Sequence, residues 1–324
     1  MIDRKRVVVL GGGTGTFTVL TGLKRHPIDI SAIVSIADSG GSTGILRDEL
    51  GVLPPGDLRQ ALVALARGDD TLRRLFTYRF NEGSLAGHNF GNLFLSVLEK
   101  VAGDPLSAIR EAHRILEVKG RVIPVSAQAA ELYAELEDAT VIAREHAIDE
   151  TVTQRSPIRR CFLSPSVVAN PEALDAIREA DLIVLGPGDL FTSLIPVLLV
   201  EGVVEALAES RGKRVFVLNL TTKRGQTDGY TATNFCRMLA AHLGNARIDA
   251  VLANRGLPPS VLVERYEQAG EPLVLDDLDE SEWVSVRRSL LSDEIHEQIS
   301  GDKLKRSLLR HDPVKLADAL LQLI

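Results

Sequence analysis

The sequence predicts a doubly wound α/β fold built on a mostly parallel sheet, with a helical segment inserted after the second strand. Three observations carry this. Apolar runs of strand length recur along the chain, segments of helical spacing separate them, and several runs break into glycine-bearing polar loops where a strand would end. Strand and helix in alternation imply parallel strands covered by helices on both faces.

The elements follow in order. Val7, Val8, Val9 and Leu10 form a strand buried on both faces, followed by glycines at 11, 12, 13 and 15 and a helix beginning near Thr16. A second strand is predicted over 29–38. Residues 44–118 then read as helices alone, over 57–68, 71–80, 88–103 and 104–118, with Asp57, Asn89 and Asp104 as N-caps. We therefore expect one α/β domain over 1–324 with 44–118 as a helical insertion within it. A strand over 120–126 returns the chain to the sheet, and 131–163 reads as a short antiparallel excursion. Further strands are predicted over 181–188, 214–222, 247–256 and 271–277, with helices over 170–180 and 258–270.

Composition narrows the function classes. Among 324 residues, 37 Lys and Arg stand against 44 Asp and Glu, a formal charge of −7 that argues against coating nucleic acid or anionic lipid. Cys161 and Cys236 have no metal spacing and are too few for a disulfide framework, which fits a reducing compartment. The start of the chain has no signal-peptide core, and no apolar run approaches the ~20 residues of a spanning helix. The expectation is a cytoplasmic protein with no membrane span.

The polar loops carry the chemistry. In GGGTGT, Gly12, Gly13 and Gly15 let backbone approach a ligand, Thr14 offers a hydroxyl, and the helix start offers free N–H groups and a positive dipole end. A phosphate fits there. Neither register matches G-x-G-x-x-G, and a P-loop lysine is missing. In ADSGGSTG, Asp38 stands near the distance of a ribose-binding acid, while Ser39, Gly40, Gly41 and Ser42 form a second anion cradle. Asp38 also suits a plain turn. In PPGDLRQAL, Asp57 and Gln60 have capping-box spacing; the other reading of Asp57 is a carboxylate that holds Mg²⁺ beside a phosphate or accepts a proton. Asp38 and Asp57 are thus the catalytic and metal candidates.

GHNFGNL gathers His88, Asn89 and Asn92 around small residues, with helix capping as the alternative for Asn89. In GPGDLFTS, a strand again breaks at Gly186 and Gly188, and Thr192 and Ser193 stand at the next helix start. After the 214–222 strand, Thr222 and Lys223 supply a hydroxyl and a cation for a diphosphate, or an ordinary solvated loop. Near the C-terminus Tyr266 has the chemistry to stack on a base and Arg310 to meet a phosphate.

Together GGGTG, ADSGGSTG, PPGDLRQAL, GHNFGNL, GRVIPVS, GPGDLFTS and LLRHDPVKLA resemble the gluconeogenesis-factor family (YvcK-like proteins), relatives of the 2-phospho-L-lactate transferase CofD, over nearly the whole chain. The resemblance implies a Rossmann-like core that binds a UDP-sugar such as UDP-N-acetylglucosamine. It also implies control of carbon metabolism and of cell-wall synthesis or cell shape, with a protein partner in one of those processes. On that reading Thr14 lies in the diphosphate loop, and Tyr266 and Arg310 contact the nucleotide-sugar. The transferase branch would imply a guanosine-diphosphate-activated donor, Mg²⁺, and acids at Asp38 and Asp57. This chain departs from that branch at GHNFGNL and at Gly188-Asp189, and Gln226 stands where the gluconeogenesis-factor pattern has Glu. A homo-oligomer is the usual state of such folds.

Overall fold

The structure, a computed structural model, describes residues 4–67, 70–150, 155–293 and 308–324; position 68 of the first inserted helix and 151–154 of the predicted excursion lie outside them. Seven parallel strands form the main sheet: β1 (Arg6–Gly11), β2 (Asp29–Val34), β3 (Arg121–Pro124), β7 (Leu182–Leu185), β8 (Lys213–Val217), β9 (Ala250–Asn254) and β10 (Ser285–Arg288). Their order is β10-β9-β8-β7-β1-β2-β3. The chain winds outward from β1 to β3, returns to β7 on the other flank of β1, and winds outward again. Strand order therefore reverses between β1 and β7, which opens a crevice at their carboxyl ends.

Alternation along β1 explains why both faces need cover. Val7 and Val9 enter one core with Leu20, Leu62 and Leu316, while Val8 and Leu10 enter the other with Phe191, Phe216 and Phe235. The first face carries α1 (Gly13–Leu23), α3 (Pro55–Leu65) and α13 (Pro313–Leu321). The second carries α8 (Pro171–Arg178), α9 (Ile195–Leu198), α10 (Val203–Glu209) and α11 (Ala232–Ala241).

Between β2 and β3 run α2 (Gly41–Leu50), α3, α4 (Asp70–Thr77), α5 (Phe90–Ala102) and α6 (Pro105–Ile115). Asn89 caps α5 by accepting from the Asn92 N–H at 3.2 Å, and Asp104 caps α6 by accepting from Ser107 at 2.9 Å. Asp57 is not a cap. Pro54 holds that position, because the Pro-Pro pair lets the helix start at Pro55 and leaves Asp57 inside the first turn. The helix after β1 likewise starts at Gly13, ahead of the predicted Thr16.

A second, antiparallel sheet of β4 (Glu131–Leu136), β5 (Val141–Ala143) and β6 (Ile158–Ser164), with α7 (Glu145–Asp149), accounts for the excursion. Its inner residues Leu132, Ala134 and Cys161 join the second core. Both cysteines are free and buried, and burial pushes their thiols up to about 12, so they behave as small apolar groups. The predicted 271–277 strand does not join the main sheet: it pairs through a single bridge, Leu273 to Thr221, after α12 (Ser260–Ala269). The edge position beside β9 goes to β10, whose half-polar SVRR carries no apolar run to read. Among the described residues no helix is long and apolar enough to cross a membrane.

Candidate functional site

Three glycine-bearing loops meet at the crevice. The first leaves β1, where Gly13 takes φ +65° so that its N–H turns toward α3 and donates to Asp57 Oδ1 at 2.8 Å. The second leaves β7 through 186–188. The two loops touch: a Cβ at Gly15 would overlap the Pro187 carbonyl, and one at Gly13 would lie 3.8 Å from Ser193 Oγ. Asn219 Nδ2 donates to the Gly188 carbonyl at 2.8 Å and fixes that loop from β8. Thr192 and Ser193 stand in a π turn over Leu190–Leu194 rather than at an ordinary helix start. Such turns place side chains out of α-helical register. Thr16 Oγ1, buried beside Gly11, has no hydrogen-bond partner.

The third loop follows β2. Asp38 Oδ1 accepts from the Gly40 N–H at 3.0 Å, an Asx-type turn, and α2 then starts at Gly41. Ser39 ties this loop to the small sheet, donating its N–H to Glu145 Oε2 at 3.2 Å and accepting from the His146 N–H at 2.9 Å. Ser42 Oγ lies 3.2 Å from His88 Nδ1 and accepts from the Asn89 N–H at 3.3 Å. Asn92 Nδ2 donates to Thr43 Oγ1 at 3.3 Å, and its Oδ1 accepts from Arg59 Nε at 2.7 Å. His88, Asn89 and Asn92 thus act behind the third loop, as the groups that hold α2 in place.

Acidity dominates the crevice. Burial holds the Asp57 carboxyl up at about 7, with the neighbouring Asp38 charge adding to it. Burial likewise raises Asp38, Asp189 and Glu145. Cations oppose them, Arg59 and Lys223 foremost and Arg47 at Asp38. Arg59, only 6% exposed, also donates to the Phe76 carbonyl at 3.3 Å and draws Asp38 and Asp57 down. Lys223 bridges Asp149 at 3.2 Å and Asp189 at 3.6 Å, and those carboxylates raise its pKa. Gln226 donates to Asp149 at 3.0 Å and leaves its buried Oε1 without a partner. Thr222 is buried and donates its N–H to the Pro272 carbonyl at 2.9 Å.

Among the described residues no group of three His, Cys, Asp or Glu side chains has a metal-holding arrangement. Asp38 and Asp57 still suit Mg²⁺, which is commonly held by one or two carboxylates together with substrate phosphates. The Tyr266 hydroxyl accepts from the Leu308 and Leu309 N–H groups at 2.7 and 3.1 Å, and its ring packs with Leu262 and Leu309 beyond the end of β8. Arg310 accepts from the Ser292 N–H through its carbonyl at 2.9 Å. The sequence does not mark Arg59, Glu145 or Asp149 as site residues, and it marks Asp189 only as a departure from the transferase pattern. Only Arg59 left a signal, a cation inside the otherwise apolar-spaced DLRQALVAL helix.

A carboxyl that holds its proton to about 7 when folded, against 3.8 ordinarily, makes the folded state the better proton binder between those values. Its contribution is full at acidic pH and is lost as pH rises through about 7. Asp57→Asn keeps an acceptor for Gly13 and removes the ionisation, so it is expected to raise Tm at pH 8 by more than about 3 °C and at pH 5 by a clearly smaller amount. Paired melts at the two pH values measure this.

These features define an α/β protein with two touching glycine loops and an acidic wall at the strand-order reversal. Residues 7–292 match the family model described as 2-phospho-L-lactate transferase CofD. The chain is 38% identical to the gluconeogenesis factor of Bacillus subtilis over 327 residues, covering 100% of this chain and 99% of that one. It is also 38% identical to that of Halalkalibacterium halodurans over 324 residues, covering 99% and 97%. A crystal structure of a UPF0052 family member from Bacillus halodurans superposes with a TM-score of 0.90 at 36% identity, covering 99% of this chain and 100% of that one. The chain belongs to the CofD family, among its gluconeogenesis-factor members.

Proposed function

We propose that the protein is a cytoplasmic nucleotide-sugar sensor that binds a UDP-sugar of the UDP-N-acetylglucosamine type and acts in the control of carbon metabolism and of cell-wall synthesis or cell shape. The observation that carries this reading is the direct packing of the β1 and β7 glycine loops, with Ser193 Oγ facing Gly13. A diphosphate bridging two such loops gains donors from both and presses them together. The relatives named gluconeogenesis factor support the link to carbon metabolism.

The mechanism is a population shift. Asp57 occupies the Gly13 N–H in the free protein, so an incoming phosphate competes with that carboxylate or meets it protonated or bridged by Mg²⁺. A ligand that draws the loops together moves α3 and α2 through Asp57, Asp38 and Arg59, and a protein partner reads the altered surface. Ligand-driven bias of this kind requires only differential affinity for the two states. UDP-N-acetylglucosamine at 100 times Kd is expected to add about 2.7 kcal/mol to stability, read as a raised Tm that GDP does not match. An equal or larger rise with GDP rejects the base assignment.

The carboxyl pair Asp38 and Asp57 favours a second reading, phospholactyl transfer from a guanosine-diphosphate-activated donor. Asp57 would accept the acceptor-hydroxyl proton, and Mg²⁺ would supply charge neutralisation at the phosphates. Mg²⁺-dependent turnover that disappears in Asp57→Asn would establish it, and absence of turnover in the wild type would remove it.

A further inference from the structure

The opposite edge of the sheet holds a cluster of the other sign. Helices α1 and α3 begin at the crevice and run side by side to the amino ends of the strands. There Lys24, at the C-cap of α1, donates its Nζ to the Ala66 carbonyl at 3.0 Å. Lys119 Nζ donates to the carbonyls of Lys24 and His26 at 2.5 and 2.8 Å. From α4, Arg73 lies over the Phe17 ring, 5.5 Å from its centroid.

Helix C-termini attract cations, which accounts for one donor of Lys24 and two of Lys119. It does not account for Arg73 or for the company these groups keep. The side chains whose charges act on Lys24 are Arg73, Arg25 and Lys119, and those acting on Lys119 are Arg67 and Arg4. Burial and these like charges hold both ammonium groups below their ordinary pKa. Among the described residues no carboxylate forms an ion pair with Lys24, Arg25, Arg67, Arg73 or Lys119, although Arg4 pairs with Asp29 at 3.8 Å and His26 lies 3.5 Å from Asp318. In a chain with 44 acidic residues, the cavity is lined by two cations, Lys24 and Arg73, with Arg25 and Lys119 acting on the first, an arrangement that favours an outside anion.

The cavity itself measures about 50 Å³ and is lined by Lys24 and Arg73 together with the apolar Val63, Ala66, Leu72, Phe76 and Leu116. That volume holds a few water-sized groups, which matches a small oxyanion. We propose that this cavity is a binding site for a small organic anion, whose carboxylate or phosphate head sits between Lys24 and Arg73 and whose apolar body rests on Leu72 and Phe76. The site is separate from the nucleotide crevice. It is also connected to it, because Lys24 closes the helix that opens at GGGTG, and the Phe76 carbonyl accepts from Arg59.

The test uses phenyl phosphate, inorganic phosphate and benzoate as probes at constant ionic strength, titrated calorimetrically into the whole protein and into Lys24→Met and Arg73→Met. Phenyl phosphate or benzoate is expected to bind saturably and about tenfold more tightly than inorganic phosphate, and each variant is expected to lose at least about tenfold in that affinity. The tighter of the two aromatic probes identifies the head. Lys24→Met relieves the like-charge crowding but gives up the hydrogen bond to the Ala66 carbonyl, so a melt without probe checks that it is folded, while Arg73→Met alters an exposed side chain and serves as the second variant. Unchanged affinity in both variants, or loss of binding only in Gly15→Ala, places the anion in the nucleotide crevice and overturns the proposal. Absence of saturable binding by every probe overturns it as well.

Discussion

Gly15→Ala is expected to reduce UDP-sugar affinity on the order of 100-fold and to cost about 1–3 kcal/mol of stability. The added methyl would sit inside the Pro187 carbonyl, and both partners are backbone in buried or half-buried loops. A flexible side chain could swing away; a peptide group cannot. Relief requires the β1 and β7 loops to separate, and that separation destroys the geometry in which one diphosphate reaches both. Titration calorimetry measures the first effect and urea denaturation the second. A variant that binds normally would mean that the two loops do not share a ligand.

The second large effect is expected from Arg59→Met. The guanidinium is 6% exposed, and its removal leaves Asn92 Oδ1 and the Phe76 carbonyl short of a donor while Asp38 and Asp57 lose the cation that draws their pKa values down. Breaking a buried charged network from one side typically costs about 3–5 kcal/mol. The deficit is expected to grow with pH. At pH 5 the folded protein keeps the Asp57 proton, so little negative charge is left uncompensated; at pH 8 Asp57 ionises beside Asp38 without its cation. Denaturation curves at both pH values test this, and a deficit independent of pH would assign Arg59 a packing role only.

The parallel sheet was legible because β1, β7, β8 and β9 are buried on both faces and so read as continuous apolar runs. An edge strand lacks that signature. Ser285, Val286, Arg287 and Arg288 pair only with β9 and leave no periodic trace, whereas Leu273, Val274 and Leu275 have the composition of a strand but no strand to lie beside. Glycine loops were legible for a local reason, since strand, glycine and helix succeed one another within a few residues. The carboxylates that give the crevice its charge were not. Glu145 and Asp149 arrive from the small sheet and Asp189 from beyond β7, and only folding brings them against Asp38 and Lys223. Asp57 shows the limit within a single motif: its spacing to Gln60 suits a cap, yet the helix begins two residues earlier and turns the carboxylate onto Gly13.

Tyr266 and Arg310 mark a different boundary. Their family-implied role as nucleotide-sugar contacts rests on motif position, while the structure commits the Tyr266 hydroxyl to the backbone of Leu308 and Leu309. Ligand contact by Tyr266 would then come from its ring or after release of those two hydrogen bonds. Tyr266→Phe removes the hydroxyl and keeps the ring, and so separates the two.

Sensing or transfer is decided most directly by calorimetric titration of the whole protein with UDP-N-acetylglucosamine and, in parallel, GDP, each with and without Mg²⁺, followed by recovery of the ligand. Saturable one-site binding of the UDP-sugar, tighter than GDP, with the ligand recovered intact, is the predicted result. No binding of the UDP-sugar, or a preference for GDP that depends on Mg²⁺, would contradict it.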